Sequence, residues 1–579
     1  NLSTMKRNFL FMSMLAALFM AGCSQEEITP GGEDNGNGEA NTSYMAVNLM
    51  SSDVTGTRAA AGYEDGSEAE NDVEKVRFYF FTANGAVANV KLLNGSYVNF
   101  YDWEPTDADQ TFPDGNGNDD IGSKLKATIV ISTKDGDRLP QRIAAVLNPP
   151  RDDDGNVLLG NTSMSLTNLK AVAADYAATG LTTKGKFVMF NSVYGENSAE
   201  VCAVPIESDH LQKTEALAKA NPVTIYVERS VAKVSVALGS AVSAAGSDKL
   251  ALKDKDGNDL KVPVGGEQVY LKLNGWSLTA ETDEGRLVKA IDPTWTSSWW
   301  NGTHRSFWAI NSEDAANDYD TYNNTINNAF STSLYTNENA LDYASSSINR
   351  TKVILKGTLC KADGTTPFTI IRHLGIYSAD TYSTTESSNL PVLKASILNQ
   401  LTAGGYTYYS GDNTTRTGLS ASDLKIVIVG QATSEPSDGK ARNCYVYAQL
   451  TDVAKAKKWY TSSNTAVTAT VSSDVINGKL ADKDIVDRAL VWKSGMTYYY
   501  YEIIHHKEAN QTNETATKGI VRNHIYKTTV TKIAGLGTPV YDPDQVIYPE
   551  KPEDNDHYIA AEIDILSWRI VENNYELKW

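Results

Sequence analysis

Histidine and cysteine are scarce in this 579-residue chain, at 7 and 4 residues, and neither falls into a pattern that site chemistry requires. No CxxC pair and no Cys/His cluster of zinc spacing occurs. His505-His506 with Glu508 lacks the HExxH spacing of a metalloprotease, and no GxSxG, P-loop or GxGxxG before a helix is present. The chain therefore reads as a non-enzyme without cofactor or metal. Basic runs are missing too: 52 basic against 71 acidic residues leave a net charge of −19, which repels a phosphate backbone and excludes nucleic acid as a partner. Asp254–Asp259 (DKDGND) places its Gly too early for an EF-hand and has no closing Glu, so it reads as a hairpin turn, as do Asp114–Asp120 and Asp152–Gly155. Helical patterns are few and short, at Leu166–Ala178 and Leu211–Ala220.

What the chain does have is 41 Gly, 30 Tyr, 41% hydrophobic and 21% charged residues, the balance of a folded protein leaning to β-structure. Its length exceeds what one hydrophobic core usually supports. Met5 reads as the start and Asn1–Thr4 as upstream readthrough. Lys6 and Arg7 precede the apolar run Phe9–Met20, which is too short to span a bilayer comfortably and suits a signal h-region. The run ends in Met20-Ala21-Gly22-Cys23, which resembles a lipoprotein lipobox with Met20 at the usual Leu position. That makes residues 1–23 a signal segment and Cys23 a lipidation site, with an ordinary secretory signal as the alternative. Ser24–Asn41 is acidic and rich in Gly and Asn, a tether that cannot bury enough apolar surface to order itself. Cys202, Cys360 and Cys444 remain, an odd number; one bridge is open to them, and buried thiols are the simpler reading.

From residue 42 onward, short alternating runs are punctuated by Gly, Asn and Asp, the pattern of antiparallel strands and tight turns. Strands are expected at Val73–Thr82, Ala86–Leu92, Ala127–Ser132, Arg142–Leu147, Val223–Leu238, Glu267–Leu278, Lys352–Leu359, Leu424–Val429, Asn443–Leu450, Met496–Ile504 and His524–Ile533. This predicts an all-β chain of β-sandwich domains with short helices. The break at Asn221-Pro222 divides residues 59–222 from 223–536, and the Pro-rich stretch Gly537–Asp556 reads as a linker.

Strand character resumes after that linker in Tyr558–Trp579, with Ile559, Ala561, Ile563 and Ile565 on one face. Aligned at tyrosine, Tyr44-Met45-Ala46-Val47-Asn48-Leu49 and Tyr558-Ile559-Ala560-Ala561-Glu562-Ile563 share this pattern, so Met45, Val47 and Leu49 stand where Ile559, Ala561 and Ile563 do. Both fit one sheet slot. Between the first of them and the next strand lies the polar loop 51–71 with a lone basic residue, Arg58, followed by Ala59, a good target for a trypsin-like protease. A cut there severs residues 24–58 and opens a groove that an extended tail can enter by strand addition. Read singly, the tail can instead pack on its own C-terminal domain and Arg58 can be a solvated loop charge.

Over most of its length the sequence resembles the fimbrillins of type V pili, in particular their major, stalk-forming subunits. The resemblance rests on the lipoprotein signal, SYMAVNLM at Ser43–Met50, Arg58-Ala59, VEKVRFY at Val73–Tyr79, VERSVAKVSV at Val227–Val236, Tyr498–Tyr501, VRNHIY at Val521–Tyr526 and the tail strand to Trp568. It implies two transthyretin-like β-sandwich domains plus a C-terminal donor strand, a lipid on Cys23 and removal of the first strand by an Arg-specific protease after Arg58. It also implies donor residues Ile559, Ala561, Ile563 and Ile565 entering another copy of the chain. The implied partners are copies of itself in a homopolymer, pilus tip and anchor subunits, the processing protease and, before cleavage, the outer membrane; the implied location is a cell-surface pilus. The alternative function is a monomeric surface lipoprotein binding glycan through the aromatic segment Trp295, Trp299, Trp300, Phe307 and Trp308, although core and loop anchoring is the more usual role of such aromatics.

Overall fold

The structure is a computed structural model that describes residues 42–51, 66–111, 124–132, 139–150, 158–177, 186–196, 199–242, 249–254, 256–262, 266–291, 306, 309–310, 317–340, 350–373, 376–378, 390–428, 445–503, 505, 519–547, 557–567 and 570–573. Among these the fold is all-β with mostly short helices. The first sheet has nine strands. They are β1 (Thr42–Ser51), β2 (Val76–Phe81), β3 (Phe100–Trp103), β4 (Gln110–Thr111), β5 (Lys124–Ser132), β6 (Arg142–Leu147), β8 (Met189–Asn191), β9 (Val204–Pro205) and β10 (Val223–Arg229). Between them in the chain come α1 (Glu68–Asn71), α2 (Leu166–Lys170), the two-residue β7 (Ala173–Ala174) and α3 (Glu215–Ala220). The order across the sheet is β3-β2-β6-β8-β10-β1-β5-β4, with β9 beside β6. All six residues of β2 are buried, five of them apolar or aromatic and the sixth, Arg77, paired with Asp102, and strands from both ends of the sheet share one core that includes Phe78, Phe80, Ile129 and Ile143.

The second core is a sandwich. One five-stranded sheet has the order β15 (Ser333–Asn337), β11 (Val231–Leu238), β23 (His524–Gly535), β25 (His557–Ser567), β26 (Ile570–Asn573). The other has the order β12 (Leu250–Ala251), β13 (Tyr270–Thr279), β16 (Lys352–Cys360), β22 (Met496–Glu502), β24 (Thr538–Pro539). Val234, Val236, Tyr526 and Val530 of the first meet Trp276, Leu278, Leu355 and Tyr499 of the second across one apolar layer. A strand pair, β7 with β14 (Gly285–Arg286), ties the first half of the chain to this sandwich.

Three features differ from the expectations set by the sequence. Val223–Leu238 is two strands, because at Ser230 the chain passes from one sheet to another, so the first core runs on to Val231 instead of ending near residue 222. The Pro-rich stretch is not wholly a linker: Thr538 and Pro539 pair with Tyr498 and Thr497 at a sheet edge, the place a residue without an N–H can occupy, and Val540 and Ile547 are buried. Finally, a third apolar core lies under α4 (Pro391–Ala403) and α5 (Ser473–Leu480). Its sheet has the order β18 (Ile376–Ser378), β17 (Ile370–Arg372), β21 (Ala489–Trp492), β20 (Tyr445–Leu450), β19 (Leu424–Ile428). Leu393, Ile397 and Leu401 stand four apart on α4 and all face that core, a helical signal present in the sequence. The first expected helix, in turn, is held to Leu166–Lys170, since Ala173 and Ala174 are taken by the pairing with β14.

Other local expectations match. The turn at Asp254 forms, with its carboxylate accepting from the amides of Asp256 and Asn258. Cys202 and Cys360 are buried free thiols, and burial pushes the Cys202 thiol up to about 11.

Candidate functional site

The first strand sits inside its sheet and not at an edge. β1 lies between β10 and β5, parallel to β10 with Val47 beside Val223 and Leu49 beside Ile225. Met45, Val47 and Leu49 have no exposed surface and belong to the first apolar core. At about 1.5–3 kcal/mol per large buried side chain, before ordering costs, these three residues contribute much of what holds the strand. On the other face Ala46 is buried at 4% exposure, while Tyr44 and Asn48 are half-buried. The backbone of Tyr44 exchanges two hydrogen bonds with Gln212, at 2.7 and 2.9 Å. Removing this strand therefore uncovers a groove with two neighbours ready to pair.

Just beyond the loop that carries Arg58, the chain is clamped. Ser67 and Glu70 form a capping box at α1, with Ser67 N donating to Glu70 Oε2 at 2.7 Å. The other carboxylate oxygen accepts from Tyr335 Oη at 2.6 Å and Lys233 Nζ at 2.9 Å. Burial works to raise the Glu70 carboxyl, yet these bonds outweigh it and hold it down at about 2. The ionic part of the clamp is thus fully present above the ordinary carboxylate value of 4.5 and fades as pH falls towards 2. Arg229 completes the clamp, donating from Nε to Glu70 O at 3.0 Å and from Nη2 to Asn71 Oδ1.

The two motifs that carry the resemblance interlock at the same junction. Asn523 of VRNHIY takes a left-handed backbone at φ 58°, donates its amide to Val231 O at 2.7 Å, and offers Oδ1 to Arg229 N at 3.3 Å. Arg522 is buried against Glu338, with Nε to Oε2 and Nη2 to Oε1 both at 3.2 Å, and Nη1 reaches Leu287 O at 2.9 Å. Lys289 and Glu228 form a second buried ion pair at 3.3 Å. His524 is buried at 2% exposure and donates from Nδ1 to Arg522 O at 2.7 Å, a packed strand residue. Glu70, Tyr335, Glu338 and Asn523 were not legible as a unit, because no spacing in the sequence links residues 70, 335, 338 and 523.

The tail strand β25 pairs antiparallel with β23 of the same chain over eleven residues, Val530 beside Ala561 and Thr528 beside Ile563. The structure therefore brings Met45, Val47 and Leu49 into one core and lays the segment holding Ile559, Ala561, Ile563 and Ile565 along a different sheet. Cys23, Arg58, Ala59, Cys444 and the aromatic residues Trp295, Trp299, Trp300, Phe307 and Trp308 lie outside the described residues. Among the described residues no group of three or more His, Cys, Asp or Glu side chains is placed to hold a metal ion.

Residues 491–574, which span VRNHIY, β23 and the tail, match the family described as major fimbrial subunit protein type IV, fimbrillin, C-terminal. This part of the chain resembles a fimbrillin C-terminal region. The matched segment comprises the strand β23 and the tail strand that lies against it. No curated protein matches the chain. Among solved structures, the chain is similar to a proposed cell adhesion protein from Bacteroides eggerthii, at 11% identity and TM-score 0.36 over 93% of this chain and 100% of the other. It is also similar to the C-terminally truncated tip fimbrial protein Mfa3 from Porphyromonas gingivalis, at 11% identity and TM-score 0.29 over 91% and 100%. A fimbrial assembly protein from Parabacteroides distasonis gives 12% identity and TM-score 0.29 over 58% and 85%. At such scores these likenesses add nothing to what the fimbrillin region and the strands themselves carry.

Proposed function

We propose that this chain is a structural subunit of an adhesive cell-surface pilus, exported as an outer-membrane lipoprotein through Cys23. An Arg-specific protease cuts after Arg58, β1 departs with the lipidated segment, and the tail strand of another copy takes its slot in the first sheet. The observation that carries this reading is a strand inside its sheet whose core-facing side chains are fully buried, joined to the rest through a loop with one basic residue. A fimbrillin C-terminal region ending in a strand of the same pattern supports it. On this reading residues 59–229 form the accepting part and the segment from residue 557 the donor, while the pairing of β25 with β23 belongs to the unpolymerised subunit. Copies of the same chain, tip and anchor subunits and the processing protease are its partners.

Deleting residues 557–579 should leave an exported, folded subunit that cannot extend a polymer, since the deletion removes an outer strand pair and leaves Val540 and Ile547 packed. Surface-purified material run unboiled on gels tests this: high-mass ladders from the truncated form would show that the tail is not the donor. A clickable fatty acid should label the wild type and not Cys23→Ala; a wild type that stays unlabelled would make the leader an ordinary secretory signal.

A further inference from the structure

The tail can enter the slot in several registers, and burial along β1 discriminates among them. Positions 45, 47 and 49 face the apolar core with no exposed surface. Position 46 faces the other way, outside that core, and is still only 4% exposed with alanine in place. A longer side chain there must displace whatever covers it, and a charged one must be buried without water.

Resting on the strand-exchange reading above, we propose that Ala560 sets the register of the joint by occupying the closed position of Ala46, and that Ala561 leaves the Val47 position underfilled. In that register Tyr558, Ile559, Ala560, Ala561, Glu562 and Ile563 replace Tyr44 to Leu49 in turn. Sliding the tail two residues one way puts Tyr558 at the closed position; two residues the other way puts Glu562 there, and two more puts Asp564 there. A slip of one residue turns the strand over and sends Glu562, with Ala560, into the apolar core. Every alternative within reach thus buries a large ring or a carboxylate, and only the register with Ala560 at position 46 places alanine there without sending a carboxylate into the core. The same alignment sets Ala561 where Val47, with no exposed surface, stands beside Val223. The incoming strand therefore fills this site less well than the strand it replaces, which makes the identity of residue 561 a determinant of how firmly subunits hold.

Full-length subunits carrying Ala560→Leu, Ala560→Ser or Ala561→Val, cut with an Arg-specific protease, test both halves. Ala560→Leu is expected to lower polymer yield about tenfold to a hundredfold with unchanged circular dichroism, while Ala560→Ser assembles like the wild type. Ala561→Val should slow dissociation of the ladder in detergent about tenfold, the effect of two added buried methyl groups. Ladders from Ala560→Leu equal to wild type, or no slowing with Ala561→Val, would overturn the register while leaving strand exchange intact. A cut wild type that forms no ladder would overturn strand exchange itself, and the register with it.

Discussion

Subunits carrying Arg58→Ala are expected to accumulate as soluble monomers that keep Ser43–Met50, whereas wild-type subunits from native fibres should begin at Ala59. The contest is for one groove. While β1 is covalently attached it competes at an effective concentration of order millimolar, which the tail of a separate molecule does not readily match. Once severed, β1 is diluted on leaving and the tail has the slot to itself. On the proposed reading the fold confines the cut: the next arginine along the chain is Arg77, 1% exposed near the start of β2 and held by Asp102 at 2.6 and 2.8 Å. The clamp at Glu70 and Arg229 lies between the two and secures the new end. Size-exclusion chromatography with N-terminal sequencing decides the matter, and normal polymers from Arg58→Ala would defeat strand exchange in favour of the monomeric glycan-binding lipoprotein.

Replacing Glu338 by Ala should destabilise the subunit by about 3–5 kcal/mol, because it leaves the Arg522 guanidinium buried without its carboxylate. Both side chains are at most 1% exposed, so water cannot take over the lost bonds. Removing both charges together, as Glu338→Met with Arg522→Met, should recover most of that loss, since the cost arises chiefly from the orphaned charge and not from the absent attraction. Chemical denaturation of the two variants and the wild type, at one ionic strength, supplies the comparison. Equal losses in the single and double variants would show that Arg522 acts mainly through Leu287 O and Arg286 O, its other partners.

The strands most readily legible from the chain were those whose side-chain pattern is local. Arg142–Leu147 and His524–Ile533 coincide with β6 and with most of β23, because alternation and flanking turn residues act over a few neighbours only. The missed helix α4 had its signal in Leu393, Ile397 and Leu401, with Pro391 at its first position, where proline is accommodated. For the slot, the matching patterns of Tyr44–Leu49 and Tyr558–Ile563 were visible without coordinates, as was the basic residue between first and second strands. The break at Ser230 was not, since VERSVAKVSV is continuous strand by pattern, while its two parts pair with partners in different sheets, Asn191 beside Val227 and Ile525 beside Lys233.

By itself the sequence determined that this chain is strand-built and that Tyr44–Leu49 and Tyr558–Ile563 share one pattern, because period and turn residues are written in consecutive residues. Only the tertiary structure decided that the first strand lies inside its sheet, that position 46 is closed, that Glu70 meets Arg229 and Lys233, and that Glu338 meets Arg522. Those facts depend on which strands become neighbours and which charges lose water together, and such choices are made between residues hundreds of positions apart, where no local pattern reaches.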